Sequence, residues 1–225
     1  MTEVIVVSEG QMVRVIDVPA GQRTDMVLLV YPGVSCDVRL DVRLSGEGAE
    51  ANIYGAYVCG ADEKVGIAVD MRHDLPHCNS RQLFIGVAGG TSKVDFYGKI
   101  IVAQDAQRTE AYQENHNILL SDRAKVDTKP QLEIYADDVK CSHGATIGRL
   151  NEEEQFYMRS RGISLEDAKV LQMISFIAPV LENIPDEAQR EAVAAEFESE
   201  IRKIIKNEGI TMPKVATTAP MIPAF

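Results

Sequence analysis

The sequence predicts a mainly β body over residues 1–150, a small helical domain over 151–210 and a loose tail over 211–225. Three observations carry this. Short apolar segments alternating with period two recur along the first two-thirds of the chain, and Gly, Asp, Asn and Ser punctuate the gaps between them. After Leu150 the apolar period changes to that of a helix.

The strand segments, in order, are Val4–Val7, Val13–Val18, Met26–Val30, Val38–Leu44, Ile53–Val58, Val65–Val69, Gln82–Val87, Val94–Val102, Asn117–Leu120 and Gln131–Tyr135. Val38–Leu44 alternates without a fault, as a strand with one buried face should. Ser45-Gly46-Glu47-Gly48 and Ala88-Gly89-Gly90-Thr91 read as turns. No helical interlude makes a βαβ unit. A sandwich, a barrel and a β-solenoid all satisfy this pattern. In a solenoid each coil is too thin to bury its own face, so neighbours must stack. Periodicity alone leaves the three open.

Asn151 with Glu154 reads as an N-cap and capping-box pair, opening a helix that runs to about Arg161 and stops at Gly162. Ser164 and Asp167 open a second, whose stripe is Leu165, Ala168, Leu171, Ile174, Ala178 and Leu181. Pro179 inside that run predicts a kink or an early end. Pro185 suits the first turn of a third helix, with Val193, Phe197, Ile201 and Ile204 as its stripe and Gly209 as its stop. Each stripe is the signature of core packing. Three such helices on a β body also make a docking module.

Composition narrows the function. A formal net charge of -11 argues against non-specific nucleic-acid binding and against docking on anionic membranes. Met1-Thr2-Glu3-Val4 begins no basic-then-apolar leader, and no stretch approaches the roughly 20 apolar residues of a membrane span. Cys36, Cys59, Cys78 and Cys141 are scattered and form no CxxC pair, which suits a reducing cytoplasm. Cys36 and Cys59 read as buried apolar thiols.

No nucleophile elbow, phosphate-binding loop, dinucleotide fingerprint or HExxH is present, so the chain is expected not to be an enzyme. Two polar clusters stand out. His73, His77 and Cys78 lie within six residues and have the chemistry of metal ligands, but a proline-containing turn that bonds its own backbone explains them better. In Asp137–Thr146, a strand would put Cys141 and His143 on one face as a soft-ligand pair. Asp137-Asp138 and Glu152-Glu153-Glu154 read as solvated turn and helix-start residues.

The residues around the second cluster carry a family resemblance. Asp105–Asn115, Leu119–Asp122, Lys129–Thr146 and Phe156–Ile163 resemble the SufB/SufD core pattern, and His77-Cys78-Asn79-Ser80 matches the turn preceding it. The likeness is strong from about residue 70 to 183. It implies a parallel β-helix followed by a small helical domain, which decides among the three architectures. It implies a non-catalytic scaffold of SUF iron–sulfur cluster assembly. The terminal helices would dock a SufC-like ABC-type ATPase, through Phe156, Tyr157, Arg159, Arg161 and Ile163. The β-helix end would pair with a SufB-type chain or a second copy, through Gln131, Glu133 and Tyr135.

By the same resemblance, His143 matches the junction histidine of D-type members, Gly144 stands where B-type members carry a glutamate, and Cys141 is a candidate ligand. No cofactor is intrinsic; a transient Fe–S cluster or iron would pass through the junction. The chain starts directly on β-like sequence where full-length members carry a helical region, which puts the usual pairing of B- and D-type chains in doubt and opens the way to a homodimer or one chain in both roles. Two other functions compete. One is a stand-alone metal or cluster carrier using Cys141, His143 and His77. The other is a β-helix polysaccharide lyase, disfavoured by the acidic charge and the unpaired cysteines.

Overall fold

The computed structural model describes residues 2–207. The eleven strands found there are β1 (Thr2–Val6), β2 (Gly10–Val18), β3 (Arg23–Val30), β4 (Cys36–Leu44), β5 (Glu50–Cys59), β6 (Lys64–His73), β7 (Asn79–Ala88), β8 (Lys93–Val102), β9 (Glu110–Leu119), β10 (Lys125–Ile134) and β11 (Lys140–Gly148). They alternate between two parallel sheets. Sheet A runs β1-β3-β5-β7-β9-β11 and sheet B runs β10-β8-β6-β4-β2. This is a parallel β-solenoid of about five turns, the architecture that the resemblance implies.

The alternating side chains sort themselves by face. Cys36, Val38, Leu40, Val42 and Leu44 of β4 point into the space between the sheets, and the Arg and Asp residues between them point out. Buried Leu40 and Leu44 each contribute roughly 1.5–3 kcal/mol of transfer free energy. Sheet A is largely apolar on both faces from β3 to β7. Met26, Leu28 and Val30 of β3 face inward, whereas Val27 and Leu29 face out beneath the helices.

The first four turns from sheet B to sheet A each pass through a residue with positive φ: Gly21, Gly48, His77 and Arg108 in succession. The N–H of Gly21, Gly48 and His77 donates to the next coil, on Glu47, Pro76 and Gln107 carbonyls at 3.0, 3.1 and 2.9 Å. This column explains the first polar cluster. His77 is a corner residue, His73 is buried against Ser80 (Nε2···Oγ 2.9 Å), and the Cys78 thiol donates to the Gly46 carbonyl at 3.2 Å. The three side chains do not converge.

The interior changes character along the stack. Register partners on β5, β7 and β9 are Gly55, Phe84 and Asn115 in one inward row, and Ile53, Gln82 and Gln113 in the next. Hydrocarbon gives way to amide towards β11. The amides are served locally: Tyr57 Oη donates to Asn117, Asn115 Nδ2 to Tyr57 Oη at 3.2 Å, and Asn117 Nδ2 to Asn115 at 2.8 Å.

Three helices follow: α1 (Glu152–Ser160), α2 (Leu165–Leu181) and α3 (Glu187–Asn207). Asn151 caps α1 by accepting from the Glu153 and Glu154 N–H groups, and Gly162, at φ 90°, ends it. Ser164 caps α2 through the Asp167 N–H. The buried face of α2 is Ala168, Val170, Met173, Ile177, Val180 and Leu181; of the expected stripe, Ala168 and Leu181 are fully buried, whereas Leu171 is exposed. This helix is apolar nearly all round, so composition does not fix its rotation; packing on β5, β7 and α3 does. Pro179 falls in its last turn and the helix ends two residues later. Pro185 precedes the third helix instead of opening its first turn: Asp186 is the cap, accepting from the Gln189 N–H at 2.7 Å. Val193, Phe197, Ile201 and Ile204 of α3 are buried as expected. The stop at Gly209 and the tail lie outside the described residues.

Candidate functional site

The two solenoid edges furthest along the chain meet at one end. β10 pairs only with β8 and β11 only with β9, so each presents one unpaired row of N–H and C=O groups. Pro130, which has no N–H to donate, is tolerated on β10 because this is an edge strand. Such edges are templates for another strand.

β11 is a strand, and it puts Cys141 and His143 on its inward face. Cys141 continues the row of Ala111, and His143 the row of Gln113. Cys141 is half-buried against the core, and burial pushes its thiol up despite a bond with the Ala111 backbone. His143 is exposed at the open mouth. The pair is therefore brought to one face. Among the described residues no three His, Cys, Asp or Glu side chains group as a complete metal site. What the mouth offers is a soft half-site beside two open edges.

Gln131 and Glu133 lie on the outer face of β10 and are already engaged there. Gln131 accepts from Tyr97 Oη at 3.0 Å and donates to Glu133 at 3.1 Å, and Glu133 pairs with Lys99 at 2.6 Å. Tyr135, just past the strand, is 63% exposed.

The second surface is α1. Phe156 is 73% and Tyr157 60% exposed, with the Arg161 guanidinium 5.2 Å from the Tyr157 ring centroid. Arg159 is exposed and Ile163 half-buried. Beside them runs a groove between α1, α2 and the end of β9, lined by Ile118, Leu150, Tyr157, Met158, Leu171 and Phe176. Its walls are tied by Gln172 Nε2, which donates to Glu154 and to the Asn151 carbonyl. The groove escaped sequence reasoning because Leu171 was assigned to the core. The interior amides of β9 escaped it too, although the spacing of Gln113, Asn115 and Asn117 is itself a period-two signal.

A family model, described as "SUF system FeS cluster assembly, SufBD core domain", matches residues 25–176. That span covers most of the solenoid together with α1 and much of α2. The chain belongs to the SufBD core family. Among curated relatives it is similar to the iron–sulfur cluster assembly protein SufD of Escherichia coli, at 42% identity over 153 residues, 68% of this chain and 36% of the relative. A SufBD family protein of Synechocystis is 46% identical over 110 residues, 49% of this chain and 24% of the relative. One from Mycobacterium leprae is 30% identical over 172 residues, 73% of this chain and 44% of the relative. The chain thus spans less than half the length of each of these SufBD proteins.

Proposed function

We propose that this SufBD-family chain is a non-catalytic scaffold of SUF iron–sulfur cluster assembly, working in the cytoplasm. One observation supports this most directly: His143 and Cys141 stand on one inward face at the mouth of a solenoid whose two edge strands are both open. A second solenoid end, from a SufB-type chain or another copy, would extend both sheets by backbone pairing. It would bring its own donors to the half-site, with the cluster as cargo. A SufC-like ABC-type ATPase would seat on α1, its apolar surface covering Phe156 and Tyr157 and filling the groove. ATP hydrolysis belongs to that partner, since this chain encodes no phosphate-binding loop. The buried free thiols Cys36, Cys59 and Cys78 suit a reducing compartment. No described helix is long and apolar enough to cross a membrane. A stand-alone carrier is less well supported, because Cys141 and His143 are two ligands where a soft metal takes four.

The test is co-purification of the tagged chain with a SufC-like ATPase, with ATP turnover followed in the same tube. Binding with raised turnover is expected. A Phe156→Ala/Tyr157→Ala double variant should lose it at an unchanged melting temperature. A chain that never binds the ATPase under reducing, nucleotide-containing conditions overturns the reading.

A further inference from the structure

His143 has a neighbour that the half-site does not account for. Ile53, Gln82, Gln113 and His143 are register partners on β5, β7, β9 and β11, all in one inward row. Gln113 Nε2 donates back along the row to Gln82 Oε1 at 2.9 Å. That bond uses the Nε2 arm of the amide and leaves the Oε1 arm over. This oxygen is buried and has no hydrogen-bond partner among the described residues, in a side chain only 1% exposed. The amide is also fixed from the opposite sheet. A Cβ on Gly98 would stand 2.1 Å from Gln113 Nε2, so β8 leaves this side chain its space and no more.

An unmatched buried amide oxygen forfeits its hydration with nothing in exchange, so the fold should supply it with a donor. The next group in the row is the His143 imidazole, which always carries at least one N–H. Strand spacing is about 4.8 Å at every step of a sheet. The step that places Gln82 and Gln113 within hydrogen-bonding distance is the step that separates Gln113 from His143. Closure would bring the exposed imidazole round towards that oxygen.

We propose that Gln113 is a positioning residue for His143: its buried side-chain oxygen accepts one imidazole N–H. The bond selects one tautomer and turns the ring's other nitrogen, a free lone pair, towards the open mouth. A metal-ligating histidine is commonly oriented in this way through its second nitrogen. The use of the oriented ring rests on the scaffold reading above, whereas the bond itself does not.

The experiment is long-range 15N–1H NMR of the imidazole in the isolated, uniformly labelled chain, above the pH at which the ring is protonated, with a His143→Gln variant to assign the signal. A single His143 tautomer is expected. Gln113→Met, similar in length but without an acceptor, should return His143 to the two-tautomer mixture of a free imidazole. Gln113→Glu, which keeps an acceptor oxygen, should restore the single form. A two-tautomer mixture in the unaltered chain overturns the proposal whether or not any variant folds. So does a single tautomer that survives Gln113→Met. The measurement uses neither ATPase nor second chain, so a failed co-purification leaves it standing and its own failure leaves the scaffold reading standing.

Discussion

The ring of Tyr57 lies where a side chain at Gly86 would begin. The two are register partners on β5 and β7, and a Cβ on Gly86 would stand 1.7 Å from the Tyr57 ring. The tyrosine is wholly buried and its hydroxyl is held by Asn115 and Asn117, so it has nowhere to go. Gly86→Ala is therefore expected to destabilise the chain by about 3 kcal/mol, the upper end for overpacking. Urea unfolding followed by circular dichroism measures it. A loss under about 1 kcal/mol would mean that the two strands spread easily.

Glu63 is a buried carboxylate with no cation paired to it among the described residues. Burial pushes its pKa up, but bonds from backbone N–H groups outweigh that and hold it below the usual value. The donors are Gly33, Gly60 and Ala61, at 2.8, 3.1 and 2.8 Å. A depressed carboxylate pKa gives stability that is present above pH 4.5 and is lost as pH falls through the folded value. Glu63→Gln should cost about 2 kcal/mol at pH 7. In paired urea titrations, the gap from the unaltered protein should close towards pH 3.

His73 works in the same direction by another route. Burial, partly offset by Asp74, takes its pKa from 6.5 to about 4. The unfolded chain then binds a proton that the folded chain refuses. Its contribution is complete above pH 6.5 and falls by about 3 kcal/mol on descending to pH 4. Its partner one coil earlier is Leu44, so His73→Leu fits the row. That variant should show a flatter pH dependence of the urea midpoint between pH 6.5 and 4.5; an equal slope would acquit His73.

Arg108 holds the corner conformation at φ 57°, where an earlier coil uses Gly48 at φ 68°. The left-handed region costs a residue with a Cβ about 1–2 kcal/mol, and glycine's own flexibility returns part of that. The Arg108–Asp138 ion pair, 3.7 Å long and open to solvent, adds little. Arg108→Gly should therefore be more stable than Arg108→Ala by about 1 kcal/mol, read as a higher melting temperature. The reverse order would show that the corner is not strained.

The fold was legible where sequence alternation matches burial. β4 and β8 needed nothing more, and Asn151, Ser164 and Gly162 marked helix ends by chemistry that acts locally. The reading faltered where the buried row is polar. β9 begins at Glu110, yet only Asn117–Leu120 looked like a strand, because Gln113 and Asn115 occupy inward positions. β10 was shortened for a related reason: Thr128 and Pro130 stand in its inward row. The rotation of α2 was hidden because either face would serve as a core. Of the site, the shared face of Cys141 and His143 followed from period two alone. The amide behind His143 did not, since residues thirty positions apart become neighbours only when one coil stacks on the next.

The drift of the interior from hydrocarbon to amide also sets an order of assembly. In a stack whose members touch only their neighbours, stability is a sum of nearest-neighbour couplings, and folding spreads outward from the strongest. Here the strongest are expected where Val38, Ile67 and Phe96 stack in one buried row, and apolar partners give way to Gln113 and Asn115 towards β11. The chain zips from its oily coils towards its wet end. The last rung expected to close, and the first to open, is the one that carries His143.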